Sequence, residues 1–240
     1  MRITEAISMT IKGIHTLDVN IAFHGNSLTQ GRNNTPIDQY YPKKVRDGLS
    51  PLVNSLTFNS VGVSGRAMTE MISDAPSVID GFVNVNKVNV IVFWEDVNGI
   101  YIDGRTGQQN FDDYETYALD RKNAGWDLVI PVTGYFGREE SDGGYVLYNY
   151  ITGQYIDFSG VVQSSWFDRQ EDFFDLVDEN GVTNSDEIVH LSVSPILGGG
   201  RDQVRDPNYF SDYIHLVADG YDEVARLVLI GVLRALQSQT

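Results

Sequence analysis

The chain has 240 residues, no cysteine, a formal net charge of −16 and 42% hydrophobic residues. That length fits one α/β domain with a full core, and the lack of cysteine excludes disulfides, a thiol nucleophile and a cysteine-based zinc site. So acidic a chain is a poor partner for nucleic acid or an anionic membrane, which both call for a basic patch.

No apolar stretch approaches the roughly 20 residues of a membrane span. The N-terminus, Met1-Arg2-Ile3-Thr4-Glu5, lacks the apolar core of a signal peptide. Cytoplasmic, trimmed secreted and virion-associated locations all stay open, as does the oligomeric state.

Residues 1–16 read as an arm or an extra edge strand. The first strand is 17–23, apolar at alternate positions and then continuously, and Gly25-Asn26-Ser27 breaks it with turn residues. Gln30 to Pro36 is a polar loop. Pro42 suits a helix first turn, with Val45 and Leu49 at helical spacing before Pro51. A strand over 56–61, short helices over 66–83 around Pro76, and a strand over 88–94 follow. Phe111, Tyr114 and Ala118 mark a helix over 110–124 that Gly125 stops.

Residues 127–133 form another buried strand, whose Pro131 belongs near a strand end. Residues 137–205 are the variable part of the domain. Within them a helix is expected near 145–152, a strand near 156–162 and a strand over 186–196 that carries His190; Asp168 to Asp178 mixes aromatic and acidic residues. Gly198-Gly199-Gly200 opens a candidate lid over 198–206. The last helix can be capped by Asp219 and buries the stripe Tyr221, Ala225, Val228, Val232 and Leu236. Strands alternating with helices call for a parallel sheet covered on both faces.

Four stretches carry chemistry. Ser27 sits on the turn that leaves the first strand, at the sheet edge where open α/β sheets bind ligands. Asp212-Tyr213-Ile214-His215, near the other end, supplies an acid and a base three residues apart. A hydroxyl is a weak nucleophile until a base takes its proton, and the base needs a third group to hold its tautomer. Val61-Gly62-Val63-Ser64-Gly65 is a strand entering a glycine turn, and Phe93-Trp94-Glu95-Asp96-Val97-Asn98 is an apolar run ending in polar residues.

Taken in chain order, the four stretches resemble the SGNH (GDSL-type) hydrolases over most of the chain. The resemblance implies a flavodoxin-like three-layer α/β/α sandwich with a mostly parallel central sheet, filling residues 1–240 as one domain. It makes Ser27 the nucleophile, His215 the base and Asp212 its partner, with Ser27, Gly65 and Asn98 as oxyanion donors and no cofactor or metal. The sequence departs from the family at two points. Asn26 stands where aspartate usually precedes the serine, and Asp96-Val97-Asn98-Gly99 replaces the usual Gly-x-Asn-Asp.

Around these residues His24, Asn26 and Arg66 are candidates for binding substrate, although a strand-end histidine can equally be structural. His190 is more simply structural. Ser64 lacks the second glycine of a Gly-x-Ser-x-Gly elbow and reads as a turn serine. Acidic pairs such as Asp112-Asp113 raise a glycosidase dyad, but such pairs are expected in an acidic chain.

The function expected is a serine esterase for short acyl groups, acetyl above all, acting on a small-molecule or polysaccharide ester. The loops at the sheet edge are polar and glycine-rich, Tyr145, Tyr148 and Trp166 are candidates to stack on sugars, and Glu95-Asp96 would repel anionic headgroups. The alternatives are a lipolytic or thioesterase-type hydrolase, and a non-catalytic carbohydrate-binding module on the same fold.

Overall fold

The computed structural model describes residues 13–31, 40–134, 139–141, 144–149, 154–157, 161–182, 188–193, 209 and 215–240, with the backbone alone at 101, 139–141, 144–149, 154–157 and 161–168. The expected lid over 198–206 and the acid Asp212 lie outside the described residues, as do residues 1–12. Residues 13–16 form a helical turn closed by Leu17 N–H on Ile14 C=O, not an edge strand.

Five parallel strands make the central sheet: β1 (Asp18–Gly25), β2 (Ser55–Gly62), β3 (Val88–Trp94), β4 (Leu128–Thr133) and, after three intervening strands, β8 (Leu191–Ser192). Their spatial order is β2-β1-β3-β4-β8. The chain leaves β1 for one side, returns across it, and continues on the other, so the switch point falls at the carboxyl ends of β1 and β3.

Seven helices are described: α1 (Ser27–Gln30), α2 (Tyr41–Leu49), α3 (Met68–Val78), α4 (Asn98–Tyr101), α5 (Gly107–Asn123), α6 (Val161–Asn180) and α7 (Ala218–Gln237). They fall into two groups, α2 against α7 and α3, α5 and α6 in succession. Alternation along β1 shows that the groups cover opposite faces. Phe23 meets Tyr41 of α2 edge-on at 5.7 Å, whereas the next residue, His24, meets Tyr117 of α5 at 5.6 Å. From Val19 to Phe23 every residue of β1 is sealed from solvent, the burial on both faces that makes a central parallel strand read as one apolar run.

Most expected elements form. Two departures have physical causes. Where a helix was expected near 145–152, residues 144–149 form β6 (Gly144–Asn149), the centre of a small antiparallel sheet with β5 (Glu139–Ser141) and β7 (Gln154–Asp157). Tyr-Val-Leu-Tyr is β-branched and aromatic, and strand preference decides such a run. Of the expected 186–196 strand, the described residues 188–193 hold β8 and a separate bridge from Ile188 to Val129. The carbonyls of Val129 and Thr133 accept from Val189 and Val193, so alternation aims Pro131 at the same neighbour, where it has no N–H to give.

Asp219 lies in the first turn of α7 and Val217 takes the cap position, while the expected apolar stripe of α7 is buried. The long helix α6 absorbs the aromatic and acidic stretch; Phe173, Phe174 and Val177 bury one face of it.

Two glycines set the serine turn into the sheet. Gly25 pairs with Gly62 of β2 and with Trp94 of β3. A Cβ on Gly25 would stand 2.6 Å from the Trp94 carbonyl oxygen, and one on Gly62 would stand 2.7 Å from backbone atoms of Thr29 and Gln30. Gly62→Ala should therefore destabilise the fold by about 1–3 kcal/mol, the usual cost of overpacking. Urea unfolding measures this, and an unchanged midpoint would show that the turn yields.

Candidate active site

Ser27 opens α1 directly after β1. The side chain of Asn26 caps the helix by accepting the Leu28 N–H at 2.8 Å, and Gly31, at φ 77°, closes it by donating to the Ser27 carbonyl. As the first helical residue, Ser27 has a backbone N–H with no acceptor inside the helix. Its Oγ lies 2.9 Å from Nε2 of His215, a residue 188 positions away in the chain. A hydroxyl and an imidazole nitrogen at this distance can exchange a proton.

The turn after β2 brings Gly65 to the same edge, at φ 80°. A Cβ there would meet nothing within 4 Å. Asn98 begins α4 just beyond β3, and its side-chain amide donates to the Arg66 carbonyl at 2.9 Å. One amide hydrogen thus ties the β3 loop to the β2 loop, and the second remains to donate elsewhere. Ser27, Gly65 and Asn98 follow the carboxyl ends of three adjacent strands, and His215 meets Ser27 at that edge.

The expected substrate-binding residues have other work. His24 is fully buried, and its Nε2 accepts from the Arg66 guanidinium at 2.7 Å. Arginine only donates, so the ring proton sits on Nδ1, 2.5 Å from the Tyr117 hydroxyl. Burial first, and then the cations Arg66 and Arg121, push His24 down to about 3, so the ring is neutral. Arg66 also pairs with Asp74 at 2.9 Å. Asn26, 1% exposed, is the helix cap. His190 bonds Thr133 at 2.8 Å and is held down to about 4 by burial, which agrees with a structural residue. The side chains of Tyr145, Tyr148 and Trp166 lie outside the described residues.

Glu95 and Asp96 correct the sequence reading most. Expected to repel anionic headgroups, both are fully buried. Glu95 Oε1 accepts the N–H groups of Val97 at 3.2 Å and Asn98 at 2.5 Å and the Asn26 amide at 3.3 Å, while Oε2 accepts Gly99 N–H at 3.3 Å. Asp96 accepts the Gly134 N–H at 2.5 Å and the Trp94 indole N–H at 3.2 Å, joining the ends of β3 and β4. Desolvation raises Glu95 to about 7 against the bonds that favour its charge, and raises Asp96 too. The signal was present in the sequence as an amide at 26 facing an acid at 95, two positions that only the fold makes neighbours.

No protein-family model and no curated protein sequence matches the chain. Solved structures do. A two-domain esterase active on acetylated mannans superposes with a TM-score of 0.59 at 15% identity, over 97% of this chain and 52% of that one. The chain thus spans about half the length of that esterase. An acetyl xylan esterase from Geobacillus stearothermophilus gives 0.58 at 14% identity, over 91% and 96% of the two chains. A GDSL-like lipase from Bacteroides thetaiotaomicron gives 0.60 at 12% identity, over 97% of each. The fold is that of the SGNH hydrolases. Ser27, Gly65 and Asn98 stand where this strand order places the loops after β1, β2 and β3. No described helix is long and apolar enough to cross a membrane.

The buried acids make stability depend on pH. Unfolded, Glu95 ionises near 4.5; folded, near 7. Between those values the native state holds the extra proton, so this contribution declines as pH rises. His24 and His190, buried neutral, act in the opposite sense below about pH 6.5. A difference measurement isolates the acid: Glu95→Gln should gain stability relative to wild type as pH rises from about 5 to 8. Parallel melting-temperature profiles would show that Glu95 is ionised throughout.

Proposed function

We propose that the protein is a serine esterase that removes short acyl groups, acetyl first, from a small-molecule or polysaccharide ester. The observation that carries this reading is the 2.9 Å approach of Ser27 Oγ to His215 Nε2 at the carboxyl edge of a parallel sheet. Ser27 attacks the ester carbonyl and His215 takes its proton. The oxyanion accepts from the N–H groups of Ser27 and Gly65 and from the free amide hydrogen of Asn98. His215 then protonates the departing alcohol. Water, deprotonated by the same ring, releases the acid and restores Ser27. Asp212, placed by its Asp-x-x-His spacing, orients the imidazole. The chemistry requires no metal or organic cofactor.

Two observations support a short acyl group on a carbohydrate: the similar structures include esterases described as acting on acetylated mannans and acetyl xylan, and the sequence has polar, glycine-rich loops near this edge. A lipolytic hydrolase is the second reading, favoured by the similarity to a GDSL-like lipase. A non-catalytic module is disfavoured by the serine–histidine contact.

Ser27→Ala should fold normally and lose activity by several orders of magnitude on p-nitrophenyl acetate, while Ser64→Ala keeps it. Asn98→Ala should lower kcat by about 10²–10³ with little change in KM, the cost of one oxyanion donor. Activity that survives in Ser27→Ala would refute the nucleophile.

For the acyl group, kcat/KM should fall from p-nitrophenyl acetate through butyrate and octanoate to palmitate, and acetate should be released from acetylated xylan or mannan. A preference for octanoate or longer, with no acetate released, would favour the lipolytic reading.

A further inference from the structure

Resting on the esterase reading, we propose that Glu95 is a positioning residue: its buried carboxylate holds the Val97–Gly99 loop, and so the Asn98 amide, in register with Ser27 through Asn26. Four donors converge on it. Three are the successive backbone N–H groups of Val97, Asn98 and Gly99, and the fourth is the side chain of Asn26. The loop that presents Asn98 is therefore wound around one acceptor.

Asn26 serves both ends. Its Oδ1 accepts the Leu28 N–H and fixes the turn carrying Ser27, while its Nδ2 donates to Glu95. One amide thereby links the nucleophile turn after β1 to the oxyanion loop after β3. An aspartate at 26 could keep the first bond but has no hydrogen for the second. Asparagine at 26 and glutamate at 95 thus form a matched pair, with the donor on β1's side and the acid on β3's.

Oε1 carries three of the four bonds and Oε2 only the long one to Gly99. What the loop needs is thus an acceptor at Oε1 more than a full charge. The titratable groups facing the carboxylate are Asp96 in the same loop and, from α5, Tyr114, whose hydroxyl accepts the Glu95 N–H at 2.8 Å. Both are buried and add no positive charge.

Three variants test this. Glu95→Leu removes the acceptor at similar volume. It should lower kcat on the order of 10–100-fold with KM near wild type, because a displaced oxyanion donor is felt in the transition state. Glu95→Gln, with its amide oxygen in the Oε1 place, should recover most of the loss. Amide hydrogen exchange at Val97, Asn98 and Gly99 should quicken in the leucine variant and not in the glutamine one, a readout independent of turnover.

Asn26→Asp should place two carboxylates at the 3.3 Å now spanned by a hydrogen bond, and such a pair shares one proton. Its activity should fall as pH rises above neutrality, whereas wild-type activity should hold, because only the neutral imidazole can act as base.

Wild-type kcat and exchange in Glu95→Leu, or equal losses in the leucine and glutamine variants, would overturn the assignment. If Glu95→Leu does not fold, the Asn26→Asp profile decides, and a profile parallel to wild type overturns it. Turnover that depends on Ser27 but ignores Glu95 refutes this proposal alone. Turnover independent of Ser27 refutes the esterase reading with it.

Discussion

Everything at the candidate site depends on β1 lying between β2 and β3 with its carboxyl end level with theirs. Gly25 stands opposite both Gly62 and Trp94, so three strands end at one height and their following loops meet. Such close approach is open only to residues without side chains. Gly25 passes under the Trp94 carbonyl and Gly62 under the backbone of α1. Burial of β1 on both faces holds the arrangement, since a slip of one residue would exchange the faces that Phe23 and His24 present to α2 and α5.

Beneath that edge the protein keeps polar groups out of water and satisfies them with fixed partners. Glu95 and Asp96 take backbone N–H groups that would otherwise be orphaned at the ends of β3 and β4. His24 stays neutral and holds the Arg66 side chain, and the Arg66 carbonyl in turn holds Asn98. Buried acceptors of this kind are costly to desolvate and rigid once satisfied. A site that must hold donors still while charge develops benefits from that rigidity. The acidity of the chain thus has two parts: surface carboxylates in solvent, and a buried pair that works as scaffold.

Much of this was legible in the residue order. The strand at 88–94, the amphipathic stripe of α7 and the helix around Tyr114 are set by apolar periodicity, which depends on local geometry alone. Two readings are corrected by the structure. The run at 145–152 is β-branched and aromatic, which favours a strand over the expected helix, and Glu95-Asp96, expected to repel anionic headgroups, is buried at the ends of adjacent strands. The first is decided within a local meander of strands, whereas the second depends on Asn26, 69 positions away.

By itself, the sequence determined which residue types were available and in what order: a serine on a turn after a buried strand, a histidine before the last helix, glycines where backbones must touch. It determined the alternation of strand and helix, because 2.0 and 3.6 periods are properties of short segments. Only the tertiary structure decided that Ser27 and His215 come within 2.9 Å, and that the Asn26 amide meets Glu95. Only it made His24 a buried support of Arg66. Pairings across 188, 69 and 42 positions depend on strand order and register, which arise from packing a whole sheet between two helical layers and are encoded in no single stretch of chain.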